Sequence, residues 1–342
     1  MSVTQIHQSN KSKIPVDAPF KIFFEEQKNL SCYDSDKLIT SILFNKQNGV
    51  IENTLNIPLS SLSDNDKCEI WLARDKLISG QEGDIKFRKN NKLLFGKICL
   101  TESDYDSFQT CSDYAYSSIL NFISEKEFPH IIRIWNYYPN IEKIQDGLER
   151  YQAFCVGRFN AYHNITEFER QLPAATAIGT HDGQFIIYFL ATTKAGVQVE
   201  NPRQISAYHY PEQYSPKSPS FARATLKHWP STTQFFISGT ASIVGHATLH
   251  EENVLIQLEE ILKNIEALVE TVRDTHQQPI RDITGLSLMK VYIRHPEHFT
   301  MIKEALSQRI GKNVSVIYLQ GDICRTNLLL EIEAYAELGT EN

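Results

Sequence analysis

No two cysteines in this 342-residue chain stand at C-x-x-C or at any other zinc-ligand spacing. The six that occur, Cys32, Cys68, Cys99, Cys111, Cys155 and Cys324, are scattered, and several fall in apolar runs such as "FGKICL" and "YQAFCVGR". All but Cys324 read as buried free thiols of a reducing compartment. Long apolar runs are missing too: no window approaches 18 continuous apolar residues, so nothing reads as a membrane span. The polar start "MSVTQIHQSNKSKIPVD" has no apolar core, which excludes a signal peptide and points to the cytoplasm. An excess of basic charge is also lacking. The net charge is −7, so no general attraction to nucleic acid or to an anionic membrane is expected, and an anionic ligand must be met by locally placed arginines. Neither a P-loop nor a Rossmann fingerprint is present, and no cofactor is implied. His246 and His250 stand four apart, but a third ligand and an H-E-x-x-H pattern are missing, so they read as turn and helix-cap residues and no metal site is expected.

What is present is an ordinary globular composition, 42% hydrophobic and 22% charged, with length for about two domains. The productive signal is an internal repeat. The strand "QFFISGTASI" precedes "NVLIQLEEILKNIEALVETV", where Leu255, Leu258, Leu262, Ile265, Leu268, Val269 and Val272 follow helical spacing. The strand "SLMKVYIRHP", the helix "HFTMIKEALSQRIG" and the paired strands "VSVIYLQG" and "LLLEIEAYA" complete the unit. Earlier in the chain "KLLFGKICL", "DYAYSSILNFISEK", "IIRIWNYYP", "GLERYQAFCVGRFNAYH", "ATAIGTHDG" and "FIIYFLATT" repeat that order. The extra length of the later copy is expected in "RDTHQQPIRDITG". Two β-α-β-α-β-β units argue for an α+β (α/β) fold with helices on one face of each sheet. The stretch "NPRQISAYHYPEQYSPKSPSFARA", with four prolines, reads as a linker or wrapping loop between the halves. The first 90 residues offer strand-like pieces, "FKIFFEE" and "CEIWLARD", and little else.

Two constellations carry chemistry. In "RYQAFCVGRFNAY", Tyr151, Cys155, Arg158 and Tyr162 share one helix face. A buried arginine there is costly unless it meets an anion, and its planar fork suits a carboxylate. The alternative is an arginine that snorkels out of a core face. Arg223 in "SPSFARA" is a second candidate, by itself an ordinary loop arginine, and Arg150 a weaker third. In the last strand, Glu331 and Glu333 lie two apart on one face beside Leu328, Leu329 and Leu330. Either that face is solvated, or the strand end lines a pocket whose desolvation holds a proton on an acid. Gly239 and Thr240 stand at a strand-to-loop turn where backbone donors could approach a ligand.

The later unit resembles the YjgF/RidA family of small trimeric proteins in "FFISGTASI", "LEEILKNIEALVE", "MKVYIRHPEHF" and "LLLEIEAYA". A longer set of blocks, "RIWNYYPNI", "GLERYQAFCVGR", "PAATAIGT", "SPSFARA" and "FFISGTASIVGHATLHE", resembles the chorismatase family over roughly the last two thirds of the chain. Its members include FkbO-type chorismate hydrolases and hydroxybenzoate synthases. The resemblance implies two fused YjgF-like units, a degenerate one at about 90–200 within an N-terminal domain 1–205, and a second at 206–342, with the active site between them. It implies chorismate as the small-molecule partner and release of pyruvate, giving 3-hydroxybenzoate with some 4-hydroxybenzoate or, in hydrolases, a dihydroxycyclohexadiene carboxylate. It assigns Glu331 as the acid, Cys324 as the product-determining residue, and Arg158 and Arg223 as carboxylate ligands; Tyr151, on the Arg158 helix face, and Gly239 and Thr240, at the turn, are expected to join them in binding the substrate. An imine deaminase or a non-catalytic aromatic-acid binder on the same scaffold are the competing classes. A fused pair of units is compatible with a monomer.

Overall fold

The structure, a computed structural model, describes residues 18–44, 53–63 and 66–339. Two sheets carry the repeat. In the first, strands Ile78–Glu82, Ile85–Lys89 and Leu93–Leu100 lead into helix Phe108–Glu125, strand His130–Pro139, helix Arg150–Tyr162 and strands Ala174–Thr180 and Phe185–Thr192. In the second, Val197–Val199, Ala224–His228 and Thr232–Thr240 lead into helix Val254–Asp274, strand Leu288–Ile293, helix Phe299–Arg309 and strands Ser315–Gln320 and Leu330–Gly339. The spatial order matches as well. In each sheet the strand after the second helix lies parallel to the strand before it, as a helical crossover requires. The final strand then inserts antiparallel between that earlier strand and the one preceding the first helix. The repeat therefore extends further than expected, to include the two strands that open each sheet.

That order corrects one expectation. "VSVIYLQG" and "LLLEIEAYA" do not pair with each other; they flank Leu288–Ile293 on opposite sides. The 205/206 boundary is also displaced, because Val197–Val199 already pairs with Ala224–Leu226 in the second sheet. The proline-rich stretch after Val199 loops out of that sheet and returns at Ala224. The connection at 275–287 is indeed longer than its counterpart at 126–129.

Helices cover the outer faces. Asn253 caps helix Val254–Asp274 by accepting the Ile256 N–H, and Val254, Leu258, Ile261, Leu262 and Ile265 pack on Phe235, Val291 and Ile332. Leu255 departs from the expected buried face: one position off that stripe, it is exposed. Helix Arg150–Tyr162 begins with a reciprocal Glu149/Gln152 capping box and lies close against helix Phe108–Glu125. A Cβ at Gly157 would stand 2.3 Å from the Gln109 carbonyl oxygen, so only glycine permits this approach.

The inner faces meet in a shared aromatic core, where Trp135 stacks on Tyr188 at 4.6 Å and meets Trp71 edge-on at 5.5 Å. Trp71 belongs to a third sheet, Phe20–Glu26, Lys67–Ala73, Leu38–Phe44 and Thr54–Ile57, which buries Phe20, Ile22 and Ile42 in the same core. This third sheet thus closes the region between the units. Cys68, Cys111 and Cys155 are buried as expected, but Cys32 and Cys99 are exposed. Cys32 ends a short surface turn, and Cys99 stands near the end of its strand, on the face opposite the helix-packed Ile98 and Leu100. Among the described residues no helix is long and apolar enough to cross a membrane.

Candidate active site

Alternation along Leu330–Gly339 sends Leu330, Ile332 and Ala334 into the helix-covered core and Glu331 and Glu333 toward the space between the units. Both glutamates are buried, but they meet different surroundings. Glu333 accepts from Arg133 at 3.0 Å, Trp135 Nε1 at 2.9 Å and Thr176 Oγ1 at 2.5 Å, and pairs with Lys290 Nζ at 2.7 Å. Burial would raise its pKa, but Lys290 and Arg133 outweigh that and hold it below the ordinary carboxylate value. Lys290 also pairs with Glu69 at 2.8 Å, so the cluster joins both units to the N-terminal sheet.

Glu331 lies one pleat nearer the strand end, where a cavity of about 460 Å³ opens, and its carboxyl receives no hydrogen bond from the described residues. Burial first, and the Glu333 charge second, push it up to about 8, against the opposing pull of Arg133 and Arg223. The side chain needs the glycine opposite it. A Cβ on Gly239 would sit 1.8 Å from Glu331 Oε1, so the carboxyl packs directly on the bare α-carbon at a local irregularity of the neighbouring strand.

Three guanidinium groups share the cavity wall: Arg158, Arg223 and Arg325. None has a carboxylate within ion-pair distance among the described residues. Arg158 is 2% exposed, lies 4.7 Å over the Phe154 ring and 5.7 Å from Tyr116, and leaves Nε without a partner. Arg223 donates to the Ile205 carbonyl at 2.8 Å and the Tyr210 hydroxyl at 2.7 Å, and its Nε is likewise unpartnered. Arg325 stacks 4.0 Å over Tyr214 and donates to the His246 carbonyl and Thr248 Oγ1. Buried donors without acceptors beside an open space suit an anionic ligand. Tyr151 lines the same wall, and burial pushes its hydroxyl well above its ordinary value, so it stays a donor. Cys324 completes this side. Burial and the nearby Glu331 push its thiol up to about 12, which leaves it protonated rather than a thiolate nucleophile.

Six of the expected site residues, Glu331, Cys324, Arg158, Arg223, Tyr151 and Gly239, therefore converge on one cavity from distant parts of the chain. Thr240 does not line it; its hydroxyl turns back to the Ser238 carbonyl. Nor is the Gly239 N–H free to meet a ligand, since it donates to Thr176 Oγ1. Arg150 is turned to Glu102, Gln145 and the Pro139 carbonyl, away from the cavity. His246 contacts the Tyr214 hydroxyl, while His250 takes a left-handed turn conformation before the helix that Asn253, not His250, caps. Among the described residues no group of histidine, cysteine and carboxylates could hold a metal. Arg325 and Thr176 were missed. A lone loop arginine beside Cys324 was the only signal for the first, and nothing local marks the second.

The chain is similar to several known proteins. A family model described as "Chorismatase FkbO/Hyg5-like, N-terminal" matches residues 69–191. A 3-hydroxybenzoate synthase of Streptomyces hygroscopicus is 33% identical over 278 residues, covering 78% of this chain and 80% of the relative. A chorismatase of Streptomyces rapamycinicus is 32% identical over 333 residues, covering 93% and 98%. A chorismatase crystal structure superposes with a TM-score of 0.86 at 29% identity, over 95% of this chain and all of that one.

Proposed function

The chain belongs to the chorismatase family, and from that premise we propose that it removes pyruvate from chorismate to give 3-hydroxybenzoate, with Glu331 as the general acid. The observation that carries this reading is a buried carboxyl held at about 8, hence protonated at neutral pH, in a cavity whose arginines lack carboxylate partners. Chorismate presents two carboxylates and an enol ether. Arg158 and Arg223, each with a bare Nε, suit the two carboxylates, and the cavity is of small-molecule size. Arg223 acts electrostatically on Glu331, which supports placing the enolpyruvyl carboxylate there, with the neighbouring methylene facing the acid.

Glu331 gives its proton to the methylene carbon, and the ether carbon becomes electrophilic. In the hydroxybenzoate route the adjacent ring hydroxyl takes part, the ring–oxygen bond breaks, and a ring proton is lost as the ring aromatises. All atoms of chorismate then appear in pyruvate and hydroxybenzoate, and no water is consumed. In the hydrolytic route one water enters and a dihydroxycyclohexadiene carboxylate leaves. Cys324 favours the first route by filling the wall beside Glu331 with a neutral thiol. The test is to mix protein with chorismate, follow pyruvate, and separate the ring products. No pyruvate would overturn the reading, and a dihydrodiol as the sole ring product would replace the synthase with the hydrolase.

A further inference from the structure

Thr176 occupies a junction that the proton transfer above does not use. Its hydroxyl accepts from Arg133 Nη2 at 2.5 Å and from the Gly239 N–H at 3.1 Å, and donates to Glu333 Oε2 at 2.5 Å. One proton given and two lone pairs filled exhaust what a hydroxyl can do. Gly239 is also the residue on which the Glu331 carboxyl rests, with Oε1 1.8 Å from where a Cβ would be. An amide N–H directed at a carboxylate favours the anion. The amide beside this acid is already committed elsewhere. We propose that Thr176 is a positioning residue that accepts the Gly239 N–H and so withholds it from Glu331, keeping the acid in its proton-bearing form. This rests on the reading of Glu331 as the acid.

The other groups around Glu331 do not substitute for this effect. Its own strand brings Glu333; strand Leu288–Ile293 brings Tyr292, directly opposite and neutral through burial. Strand His130–Pro139 brings Arg133, the segment before Ala224 brings Arg223, and the loop before the last strand brings Cys324 and Arg325. Thr176 is uncharged, so removing its hydroxyl deletes no charge from that set; it frees the Gly239 N–H and takes one hydrogen bond from Glu333, which Arg133, Trp135 and Lys290 still hold.

Thr176→Val keeps the shape and removes the acceptor. The alkaline limb of kcat for pyruvate release should move to lower pH by about one unit, while Thr176→Ser keeps the wild-type limb. In protein carrying 13C-labelled glutamate, the carboxyl resonance absent from Glu331→Gln should show the same displacement. A folded Thr176→Val enzyme whose limb and carboxyl titration match wild type would overturn the proposal. Should the valine variant not fold, the wild-type Gly239 amide decides. It should respond weakly as Glu331 ionises, and a strong downfield displacement would show that it already bonds the carboxylate, overturning the proposal. Wild-type pyruvate release by Glu331→Gln would remove the acid assignment itself. An inactive Glu331→Gln with an unmoved Thr176→Val would remove only the role of Thr176.

Discussion

A carboxyl raised by its folded surroundings must cost stability when it ionises, and Glu331→Gln should reveal that cost. The ordinary value is 4.5 and the folded value about 8. Below 4.5 the group is protonated in both folded and unfolded chains and pH has no leverage. Between 4.5 and about 8 the folded state holds a proton that the unfolded state has released, so stability falls as pH rises. Each pH unit in that window is worth about 1.4 kcal/mol, giving a ceiling of about 5 kcal/mol across it. Water entry and relaxation lower this, and the glutamine amide brings its own donors to a position where the Glu331 carboxyl has no hydrogen-bond partner among the described residues, a cost of about 1 kcal/mol. The expected outcome is a variant no more stable than wild type at about pH 5 but more stable by about 2 kcal/mol at about pH 9. Its pyruvate release should fall by about 10²–10⁴, because the amide has no proton to transfer. Urea unfolding at the two pH values measures the first effect and pyruvate assay the second. A stability difference that is the same at both pH values would refute the reasoning, since Glu331 would then titrate alike in the folded and unfolded chains.

Arg158→Ala should lower kcat/KM by about 2–4 kcal/mol of transition-state binding, and Arg158→Lys should recover little, because an ammonium lacks the planar fork; an alanine variant with wild-type kcat/KM would remove this arginine from the site. Gly239→Ala places a methyl 1.8 Å from Glu331 Oε1, and the displaced carboxyl should reduce kcat by about 10²-fold with folding retained on thermal melting. An unchanged kcat would show that the contact with Gly239 does not set the position of the Glu331 carboxyl. Cys324→Ala should still release pyruvate while the ring product shifts toward the dihydrodiol on chromatography; an unchanged ratio would leave Cys324 as a wall residue only.

Periodicity made most elements legible. Leu258, Leu262 and Ile265 mark a helix whatever its partners, and "FIIYFLATT" marks a strand buried on both faces. Pairing was less legible. Two strands adjacent in sequence read as a hairpin, yet the register of Leu288–Ile293 separates Ser315–Gln320 from Leu330–Gly339. The candidate site shows the same division. A helix face carrying Tyr151 and Arg158, and a strand face carrying Glu331 and Glu333, follow from local geometry. The differing fates of the two glutamates do not. Arg133, Trp135 and Thr176 reach Glu333 from roughly 200, 198 and 157 positions away, and no local pattern announces such partners. Thr240 lies off the cavity wall for a related reason: a hydroxyl at a strand end turns to the nearest carbonyl, here that of Ser238.

The repeat explains why the first unit does not reproduce the carboxylate side of this cavity. Matching Pro139 to Pro296 sets Trp135 against Tyr292 and Arg133 against Lys290. Across the sheet, Glu331 and Glu333 stand opposite Tyr292 and Lys290, whereas Tyr188 and Leu190 stand opposite Trp135 and Arg133. The first unit therefore has no carboxylate at either position. What it retains is the complementary half: Arg133 and Thr176 for Glu333, and Arg158 for the cavity. Removing one partner from such a buried charge cluster costs about 3–5 kcal/mol, which ties the two halves together. Fusion fixes the ratio of the two halves at one to one. The second unit brings Glu331, Glu333, Lys290 and Arg223, and the first brings Arg133, Arg158 and the aromatic wall. Lys290 from the neighbouring strand together with Arg133 from the other unit holds Glu333 ionised, so that its charge adds to burial in raising Glu331.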